Sequence, residues 1–536
     1  MYYHERTKHH PYRYANGPGY LDWENQPNPF RRFSGSPFVQ LPPILDDESP
    51  PYNQIFIPDA IPASPLTAYS LSRFFELSLA ISAWKQYEIS RWALRCNPSS
   101  GNLHPTEGYL VIPPLAEIHS QPGVYHYAPQ EHGLERRAGF SETLWSELMG
   151  EFPHGAFLVG LSSIHWREAW KYGERAFRYC QHDVGHALGA LRVAVSVLGW
   201  GMTLIEEMDD FSISQLFGLD REEDFKGAER EHPDLVCAVF PLPSNRDNKV
   251  NMAAVAKIAA SEWVGCANRL SDEEVPWDVI NLVSDATVKP RTDSVAGQPE
   301  KFSTSILETT KSQVSARQII RQRRSAQQFD GIKHISDKEF YKILSCTIIS
   351  SRIPWDTIPW SPHVHLCLYV HRVKGVVPGL YFLVRDPEKL SHLKSAMKPE
   401  FSWRKPEGCP EELDLYLLQE GNFQRQATQV SCTQEIAGQG VFSLGMISEF
   451  ADSLEKYGAW FYRRLFWESG LIGQMLYLAA EEAGIRGTGI GCYFDDSVHM
   501  IQGISGNKLQ SLYHFTIGGA VTDLRLTTLP AYPWSE

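Results

Sequence analysis

The chain repeats itself. Residues 171–199, KYGERAFRYCQHDVGHALGALRVAVSVLG, lie on residues 456–484, KYGAWFYRRLFWESGLIGQMLYLAAEEAG, at a constant offset of 285. That offset sets Lys171, Tyr172 and Gly173 on Lys456, Tyr457 and Gly458, Arg178 on Arg463, and Gly185 on Gly470. It also sets Leu191 on Leu476, Gly199 on Gly484 and Gly218 on Gly503, and upstream PGVY at 122–125 is similar to PGLY at 378–381. Ordered matches at one spacing mark two copies of one folding unit. Each copy places a nearly all-apolar helical stretch behind its KYG, and a helix apolar all round is buried on all sides. Gly185 and Gly189 would let another backbone come close. These features predict an intramolecular pseudo-dimer, with the two long helices packed near its centre.

At 536 residues the chain exceeds what one core can organise. Residues 1–65, proline-rich and aperiodic, predict an extended arm over the surface. Residues 66–283 form the first copy, closed by a helix over 252–270. Residues 284–315, rich in Ser, Thr, Lys and Pro, read as a linker, and 316–536 as the second copy. Short β-rich runs at 108–112, 156–161, 235–240, 364–370 and 513–518 alternate with the helices. The fold class is α+β, one α/β sandwich per copy.

The formal charge is 50 − 63 = −13, which argues against a nucleic-acid surface. No run of about 18 apolar residues could span a bilayer, and the N-terminus lacks the apolar stretch of a signal peptide. Nine scattered Cys with no CxxC pair predict neither a disulfide framework nor a zinc ribbon, and fit a reducing cytoplasm.

Four stretches could carry chemistry. NPSSGNLHPTE, 97–107, has more polar handles than a turn can use, yet no GxSxG elbow that would make its serines nucleophiles. His182 and His186 share a helix face, but without HExxH they read as packing histidines, so no metal is expected. GIRGTGIGCYFDD, 484–496, follows a helix rather than a strand, unlike a dinucleotide fingerprint. Its glycines suit a backbone passing tightly against a flat ligand. In ARQIIRQRRSAQQFDG, 316–331, a helix leads to Arg323, Arg324 and Ser325, a phosphate clamp in form.

Together RRSAQQF, the PSSGN loop, the KYG helix and the GTGIG loop resemble the nitroreductase superfamily of FMN-dependent oxidoreductases. PSSGNLHPTE with KYGERAFRY, and the opening YHERTKHHPYRY and NPFRRFSG, are similar to its SagB-type dehydrogenase branch, which includes azoline oxidases. The resemblance covers most of both halves and implies FMN, with NAD(P)H as an optional electron donor. It implies Pro98, Ser99, Ser100 and Asn102 on one wall of the flavin. Arg323, Arg324, Ser325 and Gln327 would lie on the phosphate side, Gly489, Ile490 and Gly491 near the ring, and Arg525 as a further phosphate contact. Gln327 departs from the basic residue usual there. Lys171 and Tyr172 match a Lys-Tyr pair held to be catalytic in azoline oxidases.

The second copy has no PSSGN loop; its matching region reads SRIPWDTIPWSPHVHL, 351–366. The first has only Arg31, Arg32, Phe33 and Ser34 as a displaced clamp, and GWGMTLIEE at 199–207 where the Gly loop should be. One composite FMN site per chain is therefore expected, with a small-molecule or peptide substrate. The competing expectation is a degenerate scaffold that binds a peptide or protein partner without catalysis.

Overall fold

The computed structural model describes residues 1–46, 48–244, 248–292, 314–350 and 352–534. The strands of the first half are Phe38–Gln40 (β1), Ile81–Tyr87 (β2), Ser90–Arg95 (β3), Thr106–Ile112 (β4), Gly123–Ala128 (β5), Gly133–Gly139 (β6), Phe157–Ser163 (β7), Trp200–Leu204 (β8) and His232–Pro241 (β9). Those of the second are Val364–Val370 (β10), Gly379–Leu383 (β11), Leu415–Glu420 (β12), Phe442–Glu449 (β13), Arg486–Ile490 (β14), Leu509–Gly518 (β15) and Thr527–Leu529 (β16). The helices that matter here are Tyr2–Arg6 (α1), His165–Tyr172 (α2), Ala176–Val197 (α3), Ala316–Gln322 (α4) and Phe461–Glu482 (α5).

One sheet runs β1-β6-β5-β4-β7-β9-β8 and the other β12-β11-β10-β13-β15-β14, every pairing antiparallel. Leaving β1 aside, the two orders are the same. In each, a long helix follows the fourth strand and returns to an edge strand, β8 or β14. Strands such as β4, β7 and β10 are buried along their whole length, polar residues such as Glu107, Ser162, Ser163 and His365 included.

The two long helices pack on each other. Every residue of α3 is buried, as is every residue of α5 except Glu482. A Cβ on Gly185 would stand 2.3 Å from the Trp467 carbonyl oxygen and 2.9 Å from Gly470 Cα. On Gly189 it would meet Leu471 and Gln474 at 2.7 and 2.9 Å. At Gly185 glycine is required because the backbones themselves are in contact, and at Gly189 because side chains of α5 lie against it.

Each half lends its end to the other. β16 pairs with β2, extending the β2–β3 hairpin to three strands. The arm does more than wrap the surface. α1 buries Tyr3 and His4, the His4 carbonyl accepts from Arg178, and the His9 N–H donates to Asp495 at 3.0 Å.

Several expectations are corrected. The helix at 252 stops at Ala259, because Gly265 turns the chain with a φ of +89° and Cys266 and Ala267 form a short strand. Much of the expected linker, 293–313, lies outside the described residues, while residues 284–286 end the helix Asp278–Ala286. Arg31 is no clamp: it is buried against Glu231 at 3.0 Å. KYG ends a helix rather than starting one, with Gly173 at φ +54° and Gly458 at φ +97°. A disulfide joins Cys432 and Cys492, 60 residues apart with α-carbons 5.8 Å apart, a pairing that no sequence spacing announces. Among the described residues no helix is long and apolar enough to cross a membrane, and no cluster of His, Cys, Asp or Glu is placed to hold a metal ion.

Candidate active site

The polar loop at 97–107 is knitted to itself and to α3. Gly101, Asn102 and His104 all take positive φ, +58°, +60° and +53°. The Asn102 amide donates to the Ala93 carbonyl at 2.8 Å, and the His104 N–H to Ser99 Oγ at 2.8 Å. Ser100 gives both its N–H and its hydroxyl to Asp183 Oδ1, at 3.0 and 3.1 Å. The serine hydroxyls therefore serve the loop and Asp183 first, where the sequence expectation aimed them at a ligand. Burial pushes the Asp183 carboxyl up to about 7, while its bonds from Ser99 and Ser100 pull the other way. A Cβ on Gly101 would lie 2.5 Å from Tyr172 Oη and 3.2 Å from Lys171 Nζ, so both groups sit directly against the loop. Burial, with Glu168, Tyr179 and Asp183 nearby, pushes the Tyr172 phenol well above its ordinary value.

The opposite wall comes from the other half. α4 ends at Gln322, and Arg323 then bridges the halves, donating Nε to the Cys96 carbonyl at 3.2 Å and Nη2 to the Arg95 carbonyl at 3.0 Å. Two nitrogens of its guanidinium thus tie the walls together, while the side chain also lines the cavity. Ser325 Oγ and Tyr477 Oη are 2.8 Å apart, and Tyr477 Oη accepts the Gly489 N–H at 2.9 Å. The GTGIG stretch is the edge strand β14, not a loop. Its glycines are demanded by aromatic neighbours: a Cβ on Gly489 would strike the Tyr513 hydroxyl, and one on Gly491 the Tyr179 ring at 2.3 Å.

Between the walls lies a cavity of about 450 Å³, within the range of cofactor sites. Pro98, Ser99, Ser100, Asn102, Tyr172 and Asp183 line it from the first half. Arg323, Arg324, Ser325, Gln327, Gly489, Ile490 and Gly491 line it from the second. Lys171 stands just behind the loop, outside the lining. Arg525 is outside the lining, exposed and paired at 2.7 Å with Asp523, which does line the cavity.

Other lining residues were not singled out from sequence. Tyr179, Tyr477 and Tyr513 supply aromatic surface, and Lys85 and Arg486 join Arg324 at one end. These cations crowd: burial, then Arg323, Arg321 and Arg486 among its neighbours, lower Arg324 to about 10, and burial, Arg324 and Arg486 lower Lys85. Asp183 is the one carboxylate in the buried helix α3, the sequence sign that could have found it.

The related place in the other copy is a smaller cavity of about 290 Å³, lined by Arg192, Ser196, Gly199 and Asp356. Arg192, which the repeat aligns with Tyr477, holds Asp356 through two hydrogen bonds of 2.9 and 2.8 Å. Arm residues cross the same place: a Cβ on Gly199 would fall 2.4 Å from the Pro62 carbonyl oxygen.

Residues 76–228 match the Nitroreductase family. A crystal structure of a candidate nitroreductase from Anabaena variabilis has a TM-score of 0.69 to this chain at 22% identity, covering 97% of this chain and 99% of that one. The fold is the nitroreductase fold. A candidate nitroreductase of Methanocaldococcus jannaschii is 23% identical over 158 residues, 29% of this chain and 75% of that protein. The stretch that matches the nitroreductase family holds the polar loop, α2 and α3. The clamp and β14 lie beyond it, so only one wall of the cavity falls within the match.

Proposed function

We propose that this chain is an FMN-dependent oxidoreductase of the SagB-type nitroreductase branch, two fused copies sharing one composite site. The observation that carries this reading is the single cavity that brings the 97–107 loop to Arg324, Ser325 and β14 from almost 400 residues away. Its chemistry fits the cofactor. Lys85, Arg324 and Arg486 offer positive charge for a phosphate, and Tyr179, Tyr477 and Tyr513 offer flat apolar surface for a ring. The smaller counterpart cavity behind Gly199, where Arg192 is already engaged by Asp356, favours one cofactor per chain.

Bound there, FMN supplies two-electron transfer to or from a substrate, while the protein supplies position and proton handling. Ser99, Ser100 and Asp183 hold the loop in place as one wall. Tyr172 Oη, which lines the cavity against Gly101, is the group placed to take or give a proton at a substrate atom on that side, with Lys171 Nζ beside it behind the loop. The substrate is a small molecule or peptide.

The purified chain should be yellow, with about one FMN per chain, and should bleach with dithionite or NAD(P)H. The double variant Ser99→Ala/Asn102→Ala should lose FMN while its circular dichroism stays the same. A colourless chain that takes up no added FMN overturns the proposal and favours a scaffold role.

A further inference from the structure

The Cys432–Cys492 disulfide stands at the rim of the same cavity. Cys492 is the second residue after β14 and lines the cavity beside Gly491, and Gln434 lines it too. Both cysteines are half-buried, whereas Cys96, Cys180, Cys237, Cys346 and Cys367 are fully buried, as inert thiols are. Cys432 and Thr433 both hold left-handed backbone, φ +52° and +60°, and strain of this kind gathers at working sites.

The bond is not needed to hold its two segments together. The Phe494 N–H donates to the Val430 carbonyl at 2.8 Å, and the Gln434 side-chain amide donates to the Cys492 carbonyl at 3.2 Å and the Ser431 carbonyl at 2.9 Å. Tyr179 Oη and Arg175 Nη2 both donate to the Gly491 carbonyl at 3.2 Å, fixing the strand end from α3 and its approach. With these contacts in place the S–S bond can open and close while the cavity wall keeps its shape.

We propose that the Cys432–Cys492 pair is a redox partner of the flavin, exchanging two electrons with it across the rim of the cavity; this rests on the FMN reading above. In the reductive direction, dihydroflavin gives up two electrons and two protons and returns to the oxidised form. The S–S bond breaks, and each sulfur ends as a thiol. Cys492 is the sulfur that borders the cavity. Cys432, set back from it and partly exposed, is the one an outside disulfide of low molecular weight can reach, and exchange with it would restore the S–S bond.

The test is an anaerobic reductive titration of the flavin-loaded chain, with free thiols alkylated beforehand and flavin content fixed by absorbance. The expected uptake is four electrons per flavin, with two new thiols mapped to Cys432 and Cys492 by mass spectrometry. The Cys432→Ser/Cys492→Ser variant should keep its flavin and take up only two. Uptake of two electrons by the wild-type chain, with the disulfide intact, overturns this proposal and leaves the FMN reading standing. A chain that binds no flavin overturns both.

Discussion

Arg178 on α3 donates to Asp495 at 3.0 Å across the boundary between the halves, with both side chains buried. The repeat carries this pair onto Arg463 and Asp210, which bond in the reverse direction. Each half thus holds the other by the same device, and neither charge has water to fall back on. Removing one partner of a buried pair costs about 3–5 kcal/mol because the other is stranded. Asp495 keeps Arg175 at 3.2 Å and the His9 N–H, so Arg178→Met should cost less than that in urea unfolding, while the single variant Asp495→Leu, which strands both Arg175 and Arg178, should cost the full amount. Equal stability of Asp495→Leu and wild type would show that the boundary does not depend on the pair.

The helix contact makes a second prediction. Gly185→Val must push α3 off the Trp467 carbonyl, and overpacking of this kind costs about 1–3 kcal/mol or more. A drop of several degrees in melting temperature is expected. Gly17→Ala, where an added Cβ meets nothing within 4 Å, should change little.

Arg324 and Arg486 should matter for the phosphate more than for the ring. Replacing either with Ala should weaken FMN about 10–100-fold, since charge-assisted bonds contribute about 1.5–3 kcal/mol. Riboflavin, which lacks the phosphate, should lose much less. Fluorescence-quenching titrations with the two flavins read the difference directly, and an equal loss for both would remove the assignment.

Asp183 gives a pH prediction with a definite sign. Its folded pKa, about 7, lies above the ordinary 3.8, so the native chain holds a proton that the unfolded chain has already released. The favourable contribution is whole below about pH 4 and is lost as pH rises toward 7. Asp183→Asn should flatten this part of the stability–pH curve by a few kcal/mol, measured by urea unfolding across that range. An unchanged slope would mean that Asp183 does not titrate there.

Much of this molecule could be read from its sequence, and the unread parts share a cause. The long helices, the glycine contact between them and the five strand runs follow from local patterning and the repeat. The cavity lining carried by the 97–107 loop, Arg324, Ser325 and β14 was legible because those residues sit in short contiguous motifs. Tyr477, Tyr513, Lys85 and Arg486 were not, because each is an ordinary residue of its own element until the fold brings it to the cavity. The disulfide was hidden for the same reason. Arg525 shows the converse: residue type suggested a ligand contact, but its guanidinium is exposed and paired with Asp523.

The cavity between the 97–107 loop and β14 has both walls on one polypeptide. A pocket shared between separate subunits empties when the subunits are diluted apart, because each wall must find its counterpart by collision. Here the counterpart is tethered, and its local concentration does not fall with the solution. Occupancy should then depend on the concentration of the ligand and not on that of the protein. The 97–107 loop and β14 each occur once in the chain, so a change in one wall can be answered by a change in the other.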